Sequence, residues 1–281
     1  MSAPALSRCF VDESIHPSLG MIVTSFVFSP ENFEDLVAEE LRTAGLSPFR
    51  DEFKSGNRME DNPKMREARA RLLSLAAGSA RIAIFFGPLN RSDLGRQTLQ
   101  ALQTILIRNG IQPGALTLHI DQGIFESTAE GKRLLALFHY LQPAQFFFAE
   151  DSRLRLGVQV ADAVAHAFAQ ILREPLTDSR KVIDIGGEDT GYVMGTQAPL
   201  GWSLLMGLRQ ALLARPVVYR GETYSPGTDP VVLDPVYDDV TVYGQNPVVL
   251  GWGIQVAHEL PANLQQTIAH VLSRIWLGCI H

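Results

Sequence analysis

Ser7-Arg8-Cys9-Phe10-Val11-Asp12-Glu13-Ser14 is a short apolar strand that opens onto acid. Leu116-Thr117-Leu118-His119-Ile120-Asp121-Gln122-Gly123 repeats the pattern, and Val158-Gln159-Val160-Ala161-Asp162-Ala163 sets a third carboxylate near the start of an apolar helix. Turns favour Asp, so a single strand-end aspartate has an ordinary explanation. Three in this order suit a magnesium site: the ion is hard, takes oxygen ligands, and combines carboxylates with waters and substrate phosphates. Alternation along the first strand puts Phe10 and Asp12 on one face, Val11 and Glu13 on the other. Asp12 is therefore expected in the centre, with Glu13 at the turn unless the strand has already ended.

Working outward, residues 7–14 and 21–29 read as strands joined by a Pro- and Gly-containing hairpin loop. A helix follows from Ser29-Pro30-Glu31 to Ala44, with Gly45 as its stop. Pro48 to Lys54 is a possible third strand. Helices over 62–77, 92–109, 128–141 and 157–173 then alternate with strands over 81–86, 116–121 and 146–149. Hairpin strands pair antiparallel and helix crossovers make parallel pairs, so the expected fold is α/β, a mixed sheet flanked by helices. From Pro175 the texture changes to frequent Gly and Pro, with helical candidates at 199–214 and 262–277. Residues 1–173 are read as one domain and 174–281 as an α+β elaboration. The apolar stretch Trp202–Leu213 and the stripe Ile268, Val271, Leu272, Ile275, Trp276 predict that it packs on the core.

The 281 residues are 46% hydrophobic and 19% charged, an ordinary globular composition. Apolar runs such as Ile82–Phe86 are too short to span a bilayer, so no membrane association is expected. There is no basic stretch followed by an apolar one at the N-terminus, and a cytoplasmic protein is the default. Cys9 and Cys279 form no zinc or disulfide pattern, and Cys9 reads as a core residue. The net charge of −6 argues against a general nucleic-acid binder. Residues 1–173 are nearly neutral, with 18 basic and 19 acidic side chains, so the acidity lies mostly in 174–281. Arg50, Lys54, Arg58, Lys64, Arg66, Arg69 and Arg71 form a local basic stretch, a solvated helix face before it is a phosphate track.

Glu52 and Lys54 share a face; together they suit either a metal ligand beside a phosphate contact or a surface ion pair. In the helix after Gly157, Asp162 lies at the edge of the apolar stripe Ala161, Val164, Ala165, Phe168, Leu172. A carboxylate there needs a partner or a metal. Gln159 and His166 flank it on its own side. His166 and His119 read as polar flank residues before they read as ligands. Asp151-Ser152 has the composition of a turn or cap. Ile183–Asp189 superficially suggests the phosphate loop of sugar-kinase-like ATPases, but a strand entering a glycine turn accounts for it better.

Phe10-Val11-Asp12-Glu13-Ser14, Glu52-Phe53-Lys54-Ser55, Ile120-Asp121, and Asp151-Ser152 through Gln159-Val160-Ala161-Asp162 together resemble the prokaryotic family called domain of unknown function 3800. The resemblance covers about residues 6–173. It implies an RNase H-like fold and a magnesium- or manganese-dependent nuclease acting on nucleic acid. It implies catalytic roles for Asp12, Glu52, Asp121, Asp162 and Lys54, with Asp12, Asp121 and Asp162 as metal ligands. Glu13, Ser14, Asp151, Ser152, Gln159 and His166 would support them from behind. The chain has Ile15 where the family usually has Gly, so a different turn is expected after Ser14. A non-catalytic scaffold on the same fold and a nucleotide-binding ATPase are the alternative readings.

Overall fold

Strand β1 (Arg8–His16) lies antiparallel to β2 (Met21–Ser29) over its full length, from Arg8 opposite Ser29 to His16 opposite Met21. In this computed structural model of the chain the described residues are 6–56, 59, 61–177, 179–187, 191–213, 217–219, 222–224, 249–250 and 253–273. The hairpin turn is not after Ser14, as the sequence suggests. Ile15 and His16 remain in the strand, and the chain reverses over Pro17–Leu19, closed by Gly20 at φ 71°. Pro fixes the start of that turn, and Gly alone takes its left-handed end without strain.

Two helices follow in succession, α1 (Phe33–Thr43) and α2 (Pro63–Ser79). From α2 on helix and strand alternate as expected, through β3 (Arg81–Pro88), α3 (Leu94–Asn109), β4 (Thr117–Asp121), α4 (Thr128–Leu135), β5 (Gln145–Glu150) and α5 (Leu156–Thr177). Beyond these, β6 (Val182–Asp184) and β7 (Gln197–Pro199) form an antiparallel pair outside the main sheet, so Ile183 lies in a small hairpin. Glu188 and Asp189 lie outside the described residues. Helix α6 (Leu200–Leu208), the pair β8 (Val217–Tyr219) and β9 (Glu222–Tyr224), then β10 (Val249–Leu250), β11 (Ile254–Val256) and α7 (Ala262–Ser273) follow.

The seven-stranded sheet runs β10-β11-β3-β2-β1-β4-β5. Its centre is the antiparallel set β3-β2-β1, and β4 and β5 add on in parallel. This is an α/β mixed sheet flanked by helices, compatible with an RNase H-like fold. Ser25 marks one face by donating to Ala161 O of α5 at 2.7 Å. Its neighbour Thr24 and the paired Phe85 point to the other face, towards α3. Helix α5 crosses β1 and β2, and α1, α2, α6 and α7 pack on it in turn. Phe10, Phe26, Phe28, Phe33, Phe53, Phe86 and Phe168 are fully buried. Each contributes about 1.5–3 kcal/mol by leaving water. Cys9 is in this core; Cys279, Ile275 and Trp276 lie outside the described residues.

Pro48 to Lys54 is not a strand. Ser47 O accepts the N–H groups of Arg50 and Asp51, while Asp51 Oδ2 takes Ser47 N–H at 2.8 Å. That turn chemistry wins over the apolar pattern. The helix read over 128–141 stops at Leu135, and Ser127 caps its start by accepting Glu130 N–H. No helix among the described residues is long and apolar enough to cross a membrane.

Candidate metal centre

Asp12 and Asp121 meet because β4 lies parallel to β1. The pairing ends at Val11 opposite Ile120, so both aspartates sit at the same end of neighbouring strands. Both are buried, at 5% and 6% exposure. Asp12 Oδ1 accepts Glu13 N–H at 2.7 Å, and Asp121 Oδ2 accepts Gly123 N–H at 3.0 Å. Glu13 completes the group: one carboxylate oxygen from each of Asp12, Glu13 and Asp121 lies within 4.8 Å of the others.

Strand alternation places Glu13 on the face opposite Asp12 for as long as β1 runs, yet β1 continues to His16 and Glu13 still joins the group. The physical reason is the missing neighbour. The pairing of β1 with β4 stops at Val11, and a Glu13 carboxylate oxygen comes within 4.8 Å of those of Asp12 and Asp121. Gly123 leaves it room, since a Cβ there would stand 2.5 Å from Glu13 Oε1. In the sequence this shows as a glycine two residues after the strand-end Asp121.

Burial, and then the charges of Asp121, Glu13 and Asp162, push the Asp12 carboxyl well above its ordinary range. Burial and Asp121 raise Glu13. Asp121 is also raised by burial, against the opposing Gly123 N–H and Lys54. Glu13 Oε2 and Asp121 Oδ1 are buried with no hydrogen-bond partner. Such acceptors are costly unless something fills them.

Asp162 lies beside this group, near enough for its charge to act on Asp12, but its own carboxylate is engaged. Oδ2 accepts Ser55 N–H at 2.7 Å. Burial raises its pKa; that hydrogen bond and Lys54 oppose the rise. One turn earlier, fully buried Gln159 accepts Phe53 N–H at 2.9 Å and donates to Ser152 O at 2.7 Å. The two side chains hold residues 53–55 against α5. Glu52 accepts from Ser152 Oγ and sits 3.2 Å from Lys54 Nζ. Burial lowers the Lys54 pKa, but the charges of Asp121, Asp12 and Glu52 outweigh it, so the ammonium is held charged beside the carboxylates.

Asp151 points elsewhere, pairing with Arg153 at 2.7 Å and closing the turn into α5. Ser14 shares a 2.8 Å hydrogen bond with His16. The rings of His16 and His166 are 5.5 Å apart. His119 is stacked between Phe10 and Phe147 and faces Glu150 at 3.5 Å. The cluster of Asp12, Glu13 and Asp121 is a buried acidic site suited to a cation. No protein-family model matches the chain, and no curated protein matches it in sequence.

Proposed function

We propose that this chain is a divalent-metal-dependent nuclease that hydrolyses phosphodiester bonds, RNase H-like and akin to the domain of unknown function 3800 family. The observation that carries the reading is the group of three carboxylates at the ends of β1 and β4, with two buried oxygens lacking any partner. The donor set fits magnesium or manganese: all oxygen, anionic, and buried enough to repel itself when nothing neutralises it. Asp12, Glu13 and Asp121 would hold the ion. When bound, such an ion supplies Lewis-acid polarisation of a phosphoryl oxygen and activates water at neutral pH.

The rest is the work of the chain's own groups. Lys54 presents a charged donor at the rim, steadied by Glu52, where a non-bridging phosphate oxygen can accept from it. Ser152 orients Glu52, and Gln159 fixes the segment that carries both. Asp162 keeps that segment close and adds negative potential that favours a cation.

The test is a cleavage panel of DNA, RNA and hybrid substrates with magnesium, manganese or chelator. Wild type is compared with Asp12→Asn and Asp121→Asn. Metal-dependent cleavage that falls at least about 100-fold in both variants is expected, since each removes an anionic ligand. Cleavage that survives in both, or binding of the panel without any cleavage, would overturn the reading.

A further inference from the structure

Helix α5 carries a proline close to its end. Pro175 has no N–H, so Ile171 O, four residues before it, loses its helical hydrogen bond. The first turn of α6 comes against that break, where a Cβ at Gly201 would stand 3.1 Å from Ile171 O. Glycine there leaves the carbonyl uncrowded. Helices α6 and α7 both pack on α5, and residues of all three line a cavity of about 420 Å³ that includes Ile171, Pro175 and Gly201. That is the size of a small-molecule site. Glu174 is on its wall, twelve residues beyond Asp162 on α5, about 18 Å further along the helix.

The cavity is mostly apolar, with Trp202 of α6 and Val271 of α7 in its lining. The rings of Trp202 and Tyr192 are T-shaped, 6.4 Å between centroids. Its ionisable groups are Glu174 and His270. Arg180 pairs with Glu174 at 3.1 Å, but the arginine side chain is 63% exposed, and such a surface pair is worth little. Three features of one sign therefore meet here. Glu174 is a carboxylate. The last turn of α5 holds no basic residue, and the carbonyl end of a helix favours a cation. The face of an indole attracts cations as well. The chain's acidic excess lies in the same region, residues 174–281.

We propose that this cavity binds a small organic cation, an ammonium group on an aromatic or apolar body. The ammonium meets Glu174 and the carbonyl end of α5, and the body lies against Trp202. The site is separate from the carboxylate cluster and does not depend on the nuclease reading.

The experiment uses the full chain in excess chelator at pH 7. Phenethylamine, 2-phenylethanol and phenylacetate share one body and differ in charge; each is titrated at millimolar concentration and followed by calorimetry. Phenethylamine should saturate one site, at least about tenfold more tightly than 2-phenylethanol, as a charge-assisted contact gives. Phenylacetate should bind weakest. Glu174→Gln should abolish the preference for the amine and leave 2-phenylethanol unchanged, whereas Trp202→Leu should weaken both. Equal affinity for the three probes, or tighter binding of phenylacetate, would overturn the cation assignment. No saturable binding of any probe to the wild type would overturn the site, whether or not the variants fold. Replacing chelator by magnesium should leave phenethylamine bound; its displacement would place the amine at the carboxylate cluster and sink the cavity assignment.

Discussion

Asp162 accepts the backbone N–H of Ser55 at 2.7 Å, across 107 positions of sequence. With Gln159 and Phe53 one turn earlier, it makes α5 the support on which the Lys54 segment rests. A buried acid near a carboxylate cluster therefore has two separable duties here, one mechanical and one electrostatic.

Gln159→Leu should separate the mechanical duty. It strands Phe53 N–H and Ser152 O, two buried backbone groups at about 1–3 kcal/mol each. Urea unfolding should show a loss of about 2–6 kcal/mol, with faster proteolysis around residues 50–60. Asp162→Asn keeps an oxygen acceptor for Ser55 and should cost under about 1 kcal/mol. Equal losses in the two variants would refute this division.

Millimolar magnesium or manganese should raise the thermal midpoint of the wild type. A ligand bound only by the native state contributes about 2.7 kcal/mol at 100 times its dissociation constant. Without metal the sign reverses. The Asp12 carboxyl is raised well above its usual 3.8. Its protonated form stabilises the fold below the unfolded value, and that stabilisation is lost as pH rises through the folded value. In chelator, Asp12→Asn should therefore be the more stable protein at neutral pH, by a margin that shrinks towards pH 4. Thermal melts of both proteins across that range decide it.

Gly123 and Gly157 offer a paired test. Gly123→Ala meets only the far end of Glu13, so melting should barely change while metal-induced stabilisation falls. A Cβ at Gly157 meets the Phe10 ring at 2.5 Å. Gly157→Ala should cost about 1–3 kcal/mol through overpacking. A Gly123→Ala protein with full metal response would remove Glu13 from the ligand set.

Burial, reinforced by Arg69, His16 and Arg173, lowers the His166 pKa from 6.5 to about 3. The unfolded chain thus binds a proton that the native state refuses, and stability falls as pH drops from about 6.5 towards the folded value. His166→Gln should flatten this fall between pH 6.5 and 4.5, measured by urea midpoints. An unchanged slope would show that His166 is not held neutral.

Much of this arrangement is legible in the residues. The hairpin, the alternation after it and the aspartates of β1 and β4 follow from period and turn chemistry. Two features are not. Residues 53–55 satisfy two N–H groups on α5 side chains instead of a neighbouring strand, and apolar pattern cannot distinguish the two. Glu13 enters the cluster because β4 stops pairing at Val11, and register between strands far apart in sequence is invisible to a period count. Strand β11 escapes for a similar reason: Ile254–Val256 is too short to carry a periodic signal.

That short strand bears on how the protein is made. β11 pairs in parallel with β3, joining Ile254 to Ile84 about 170 positions away, and Leu213 N–H also reaches Ile82 O. Until those partners emerge from the ribosome, β3 presents an open edge between Arg81 and Pro88 with Ile82, Ile84 and Phe86 on it. At about 5–20 residues per second the interval is roughly ten to thirty seconds. An apolar edge exposed for that long is a template for pairing between nascent chains. Production of this protein should therefore depend on ribosome-associated chaperones, and slowing translation between residues 88 and 254 should lower the soluble yield.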